Sequence, residues 1–326
     1  MEELLTVDNL HIHFNTYAGI VYAVNGMSFQ MSRQDIFGLV GESGCGKSVT
    51  GFGILRMVPP PGKITSGRIL FHNRDLLLYS EEEMRAVRGR RVTMIFQDPS
   101  ATLNPLFTCG NQITRLIRIH TSASAKEAQK RAIEMFEAVA LPQPENIMKS
   151  YPHELSGGMQ QRVMIAMALA PGAELLIADE PSTALDVTIQ AQILSLLADL
   201  RDKKQISILL ITHNLGVVAE ICNRVAVAYA GRVVEVGNTE EILFKMKHPY
   251  TQGLLTAVPT PSQRGRPLTS IEGSVPDGLE QTVGCPFYPR CSQAMPLCLT
   301  EMPGLVPIES ESHFVACHLY LPKGMR

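Results

Sequence analysis

Gly41-Glu42-Ser43-Gly44-Cys45-Gly46-Lys47-Ser48 follows directly on an apolar run at 36–40 and opens a helix-compatible stretch, and that context decides the fold. A glycine, four residues and then Gly-Lys-Ser is the pattern of a phosphate-binding loop between a strand and a helix. The glycines Gly41, Gly44 and Gly46 let the backbone approach a polyphosphate, with successive N–H groups of the loop, Ser43 and Cys45 included, and a helix N-terminus directed at the anion. Lys47 adds positive charge, and Ser48 offers its hydroxyl to Mg2+.

Outward from this loop, a second acidic element stands at Leu175-Leu176-Ile177-Ala178-Asp179-Glu180, a hydrophobic strand ending in two carboxylates. Ligands of open parallel sheets sit at the carboxyl ends of the strands. Asp179 is placed to hold Mg2+ and Glu180 to orient and deprotonate an attacking water. Strand-like segments at 4–7, 21–29, 36–40 and 67–71 precede a helical pattern from about 99 to 141, where Ala128, Ile133, Phe136 and Val139 recur at helical spacing. A further α/β stretch follows: helix 159–170, strand 175–178, helix 189–200 and strand 206–211. The expected architecture is a parallel-sheet α/β core interrupted by a helical insertion. After about residue 257, prolines 259, 261, 267, 276, 286, 289, 296, 303 and 307 break any long periodic element, so the tail reads as a separate unit.

Bulk properties narrow the function. At 326 residues the chain accommodates a large α/β domain plus an appendage, and no apolar run approaches the roughly 20 residues of a membrane span. Met1-Glu2-Glu3-Leu4-Leu5 lacks the basic start and apolar stretch of a secretory signal, which predicts a cytoplasmic chain. A net charge of -2 speaks against a nucleic-acid partner. Arg85, Arg88, Arg90 and Arg91 read as a solvated helix end before a strand beginning at Val92. Of seven cysteines, Cys45, Cys109 and Cys222 read as a loop residue and two packing residues. Cys285, Cys291, Cys298 and Cys317 crowd the tail, and four soft thiolates suit either zinc or an iron–sulfur cluster.

Leu155-Ser156-Gly157-Gly158-Met159-Gln160-Gln161-Arg162 resembles the signature motif of ATP-binding cassette proteins, with Met159 where the widespread form has Gln. The resemblance implies a cassette ATPase core with an antiparallel β subdomain and a helical subdomain, plus a Cys/Pro-rich C-terminal extension. It also implies a head-to-tail dimer in which Ser156, Gly157, Gly158 and Asp186 reach the ATP held by the opposite subunit. Gln97, in Ile95-Phe96-Gln97-Asp98-Pro99, resembles the loop glutamine that reaches Mg2+ and the lytic water. Ser182-Thr183-Ala184-Leu185-Asp186 resembles the loop that crosses the dimer interface. His213 resembles the switch histidine at the γ-phosphate, followed by Asn214 in place of the commoner acid. Distance to the phosphate loop selects Phe14 as the aromatic that stacks on adenine, with Tyr17 as rival. The spacing between Lys47 and Ser156 leaves room for a helical insertion but not for the long coiled coil of DNA-repair cassettes.

Tyr151-Pro152-His153-Glu154, His248-Pro249-Tyr250-Thr251 and Gly284-Cys285-Pro286-Phe287-Tyr288-Pro289-Arg290-Cys291 are similar to the oligopeptide and dipeptide importer ATPases, a subfamily that includes nickel and metallophore importers. This implies a nucleotide-binding domain at 1–257, with its helical subdomain at about 99–160, and an extension at 258–326. It implies peptide import powered at the cytoplasmic face of the inner membrane. The partners are then a second ATPase subunit, two permeases whose coupling helices enter a groove around 98–110, and an extracytoplasmic solute-binding protein. It also implies a [4Fe-4S] cluster on Cys285, Cys291, Cys298 and Cys317, with zinc as the alternative, which would staple a tail poor in regular structure.

Overall fold

The computed structural model of the chain describes residues 2–182, 185–258, 270–308 and 310–321. Thr183 and Ala184 of the interface loop, and prolines 259, 261 and 267, lie outside them. The chain begins with β1 (Glu3–Thr16), β2 (Gly19–Ser32), β3 (Ile36–Val40), α1 (Lys47–Ile54), β4 (Gly62–Phe71), β5 (Arg74–Asp75), α2 (Glu81–Val87) and β6 (Val92–Ile95). A helical stretch follows: α3 (Pro99–Thr102), α4 (Cys109–His120), α5 (Ala125–Ala138), α6 (Pro144–Ile147) and α7 (Gly157–Leu169). Then come β7 (Leu175–Asp179), α8 (Val187–Lys204), β8 (Ser207–Thr212), α9 (Leu215–Ile221), β9 (Arg224–Tyr229), β10 (Arg232–Asn238), α10 (Thr239–Phe244) and α11 (Pro249–Thr256). The C-terminal segment carries α12 (Leu297–Thr300), β11 (Val306–Pro307) and β12 (Phe314–Val315). The fold is mixed α/β with an antiparallel sheet and a helical portion.

Two compact units emerge, one of residues 1–32, 37–77 and 212–326, the other of 33–36 and 78–211. In the first, β2-β1-β4-β5 form an antiparallel sheet. Leu5 and Val7 of β1 are buried, and so are Leu10 and Ile12, although the two pairs are out of simple alternation. Asn9 resolves this by taking a left-handed φ of 47° at a register shift, so the extra residue returns Leu10 to the buried face. Also in this unit, β9 runs parallel to β3, while β10 pairs antiparallel with β9 and with β12 of the tail.

In the second unit β6, β7 and β8 pair in parallel in the order β8-β7-β6. Every residue of β7 and β8 is buried, as befits strands covered on both faces. The helices begin where side chains satisfy free N–H groups. Thr108 accepts from Asn111 N–H at the start of α4, and Ser124 from Glu127 N–H at the start of α5. Ala128, Ala132 and Phe136 form the buried stripe of α5, and Val139 beyond it is buried too, whereas Ile133 is only half-buried. The helix expected from residue 159 begins instead at Gly157, because Ser156 caps it with an acceptor for Met159 N–H at 3.4 Å.

The tail corrects one expectation. Among the described residues no group of three or more His, Cys, Asp or Glu side chains is placed to hold a metal ion, so neither the [4Fe-4S] cluster nor zinc on Cys285, Cys291, Cys298 and Cys317 is supported. All four are free thiols. Burial pushes Cys285 and Cys317 up to about 11 and raises Cys291, favouring the protonated form where a metal needs thiolate. The staple is made of protein. β12 adds to β10, and Ala316 N–H donates to Val234 O at 2.8 Å. His313, 2% exposed, bonds the fully buried Glu235 at 2.8 Å. Phe287 packs against Tyr229 and Tyr250 with ring centroids 5.3 and 5.4 Å away.

Candidate functional site

The phosphate loop leaves β3, whose five residues are all buried, and turns into α1 through Gly46. Gly46 adopts a left-handed φ of 89°, and a Cβ there would stand 2.4 Å from Ala23 O. Gly41, at φ 152°, would bring a Cβ to 2.2 Å from Ala228 O. Neither position accepts a side chain, which is the physical content of the glycine pattern. Ser43 and Gly44 are exposed at the mouth, whereas Cys45, Gly46 and Lys47 are buried. Lys47 Nζ donates to Gly41 O at 2.8 Å and Glu42 O at 2.9 Å and lies 3.6 Å from Cys45 Sγ. The ammonium thus sits against the loop's own carbonyls. Burial raises Cys45, which keeps the thiol neutral.

His213 belongs to the same unit and is exposed just after β8. The departure at Asn214 has a local role: its side chain accepts from Gly216 N–H at 2.9 Å and caps α9, as Asp would. Phe14 lies near the end of β1, half-buried, opposite Val21 and Gly62. A Cβ on Gly62 would meet its ring at 2.5 Å, so that glycine lets the ring lie against the backbone. Tyr17, at the β1–β2 turn, is fully exposed.

The second unit holds the other expected residues. Asp179, 8% exposed, ends β7. Glu180 follows in a left-handed conformation, φ 48°, fixed by its N–H bond to Ile211 O at 2.9 Å. That conformation costs a non-glycine residue about 1–3 kcal/mol. Gln97 is exposed in the loop after β6. Ser156 and Gly157 are exposed, while Gly158 packs so closely on α8 that a Cβ would approach Ile189 Cγ2 to 2.8 Å. Asp186 caps α8, accepting from Ile189 N–H at 2.9 Å. The signature and Asp186 therefore share one helix–helix contact, leaving two helix N-termini, at Ser156 and Asp186, open to solvent. Gln160 braces the turn before the signature, its Nε2 donating to Pro152 O at 2.8 Å and Leu155 O at 3.1 Å.

One contributor to the loop is legible only in three dimensions. Tyr250 is wholly buried, and its hydroxyl accepts from Glu42 N–H at 2.9 Å. In the sequence it reads merely as part of a His-Pro-Tyr-Thr run.

The family described as ABC transporter matches residues 24–183, and the family described as oligopeptide/dipeptide transporter, C-terminal region, matches 234–298. The chain is 49% identical over 320 residues to the dipeptide transport ATP-binding protein DppD of Bacillus subtilis, covering 98% of this chain and 95% of the relative. It is 44% identical to the oligopeptide transport ATP-binding protein OppD of Escherichia coli, covering 93% and 89%. A solved dimer of an ATP-binding cassette in a post-hydrolysis state, bound to ADP and Pi, superposes with TM-score 0.63 at 25% identity over 72% of this chain and 99% of that one. A solved component of the ABC transporter complex cbiONQ from Clostridium perfringens gives 0.64 at 27% identity, over 76% and 93%. With its phosphate loop, its signature helix and near full-length identity of this order, the chain belongs to the ATP-binding proteins of the oligopeptide/dipeptide ABC transporter family.

Proposed function

We propose that this chain is the ATP-hydrolysing subunit that energises import of dipeptides and oligopeptides across the cytoplasmic membrane. The observation that carries the reading is the phosphate loop and the cassette signature in one chain whose C-terminal part matches the oligopeptide/dipeptide transporter region. The relatives are dipeptide and oligopeptide transport proteins, which favours peptides over nickel as the solute. Residues 1–257 act as the nucleotide-binding domain, with its helical subdomain at about 99–160, and 258–326 as the extension. Phe14 stacks on adenine. The backbone from Gly41 to Gly46, Ser43 and Lys47 hold the phosphates.

Ser48, Asp179 and Gln97 offer the hard oxygen ligands that suit Mg2+, which when bound neutralises phosphate charge. Glu180 takes a proton from the attacking water as the new P–O bond forms and the bond between the β- and γ-phosphates breaks, leaving ADP and phosphate. His213 and Gln97 orient the γ-phosphate and the water. Ser156, Gly157, Gly158 and Asp186 act on the nucleotide of the opposite subunit, which their solvent-facing helix N-termini equip them to do. Dimer closure and reopening then drive the permeases rather than any chemistry on the solute.

The partners are a second ATPase, two permeases and an extracytoplasmic binding protein, with this subunit peripheral at the cytoplasmic face. Among the described residues no helix is long and apolar enough to cross a membrane. For the permeases, a groove of about 960 Å³ is lined by Asn104, Phe107, Arg115, Ile119 and Met167. Phe107 and Ile119 are exposed there, beside the exposed Leu106. The test is reconstitution with candidate permeases and a candidate second ATPase. ATP turnover should rise when a peptide-loaded binding protein is added, whereas robust solo turnover indifferent to every membrane partner would overturn the reading.

A further inference from the structure

We propose that Arg290 is a positioning residue for the phosphate loop, so that the C-terminal extension sets the affinity of the site for ATP. The inference rests on the reading of residues 41–48 as the nucleotide cradle. Arg290 Nη1 donates to Glu42 Oε2 at 2.7 Å and Nη2 to Oε1 at 3.0 Å, a two-pronged bond that a planar carboxylate accepts in one orientation. The arginine side chain is 5% exposed. Its other contacts are equally fixed: Nε donates to Glu272 O at 2.9 Å, Nη2 to Ile271 O and Gly273 O at 3.3 and 3.4 Å, and the guanidinium lies 5.8 Å from the Tyr229 ring centroid.

Glu42 is thereby held at every polar group. Its carboxylate is bound by Arg290, its N–H by the Tyr250 hydroxyl, and its carbonyl by Lys47 Nζ. The last contact matters most, because Lys47 is the cation that meets the polyphosphate. A phosphate loop carrying a carboxylate at its second position presents like charge to its ligand, and Arg290 both neutralises that charge and points it away. Without Arg290, the Glu42 carboxylate is released beside an ammonium already bonded to its own carbonyl, and it competes with phosphate for that charge. The consequence belongs to nucleotide binding rather than to the chemical step.

The experiment measures the Kd of the full chain for MgATP, and the KM and kcat of the assembled transporter. Arg290→Ala should raise Kd and KM by about tenfold while lowering kcat far less, and Arg290→Lys, which keeps the charge but loses the fork, should fall between. Glu42→Gln added to Arg290→Ala should return Kd toward wild type, because the stray carboxylate is gone. An extension that merely packs would lower the Tm of Arg290→Ala and leave Kd and KM where they were, and that result overturns the proposal. So does a double variant no tighter than Arg290→Ala alone. Should Arg290→Ala fail to fold, Arg290→Lys with and without Glu42→Gln gives the same two readouts. Lys47→Ala separates the levels: if it binds MgATP normally, the cradle reading itself falls, and if it loses binding while Arg290→Ala does not, only the role of Arg290 falls.

Discussion

Lys47 and Glu180 are single residues on which the proposed chemistry hinges, and each is held in a way that makes its replacement informative. Lys47 is buried and braced by two loop carbonyls, so truncation removes charge and packing together. Lys47→Ala should abolish ATP binding or hydrolysis in an equilibrium binding and phosphate-release assay. Glu180→Gln keeps the shape and the left-handed backbone but removes the base. It should bind ATP, turn over at no more than about a hundredth of the wild-type rate, and accumulate as a closed dimer on gel filtration. Near-normal turnover would reject Glu180 as the base. Both residues are readable in the sequence because short motifs encode backbone geometry: Gly46 and Gly41 stand where a Cβ would strike Ala23 O and Ala228 O. The strained φ of Glu180 is not readable, since nothing in Asp-Glu-Pro-Ser announces a left-handed turn.

Among the elements, α4 and α5 show where pattern reading succeeds and where it stops. Their caps at Thr108 and Ser124 and the buried stripe of α5 follow from local rules. What the stripe leaves outside is decided by the packing of neighbours, and Leu106, Phe107 and Ile119 remain exposed around one groove. Replacing Phe107 with Asp places a charge where an apolar partner surface would dock. It should sharply reduce recovery of the permeases with the tagged subunit, while MgATP binding by the isolated chain stays intact. Unchanged recovery would move the docking surface elsewhere. The contact between α7 and α8 shows the same division. The signature predicts a helix N-terminus, but only the structure reveals that Gly158 is small because Ile189 lies against it.

Considering the whole molecule, stability depends on a buried polar cluster that no motif describes. Glu235 accepts from the N–H groups of Lys247 and His248 and pairs with His313, while His248 Nδ1 accepts from Tyr250 N–H. Burial lowers His248 from 6.5 to about 4, with the nearby Glu235 carboxylate opposing the shift. Between these values the unfolded chain takes up a proton that the folded chain refuses. The contribution of His248 is therefore complete above pH 6.5 and is lost as pH falls toward 4. From pH 6.5 to about pH 5 this amounts to roughly 2 kcal/mol. Urea midpoints at about pH 7.5 and pH 5 should show that loss in the wild type and a flatter profile in His248→Asn, which retains an acceptor for Tyr250 N–H. Equal pH dependence in both proteins would assign the acid sensitivity to other groups.

The amino-acid sequence by itself determined the strand–loop–helix proposed to hold phosphate, the acids ending β7 and the presence of helices between β6 and β7. Each depends on residues within a few positions of one another, where steric and hydrogen-bonding rules leave few options. Tertiary structure alone decided how the tail is held. The grip of Arg290 on Glu42 spans 248 positions and that of His313 on Glu235 spans 78. By resemblance the four tail cysteines implied a metal staple, yet they stand as free thiols while strand addition, an aromatic cluster, the Arg290–Glu42 ion pair and the His313–Glu235 contact hold the segment. Spacing along a chain specifies which groups are available, whereas burial and the approach of distant backbone specify their protonation and their partners.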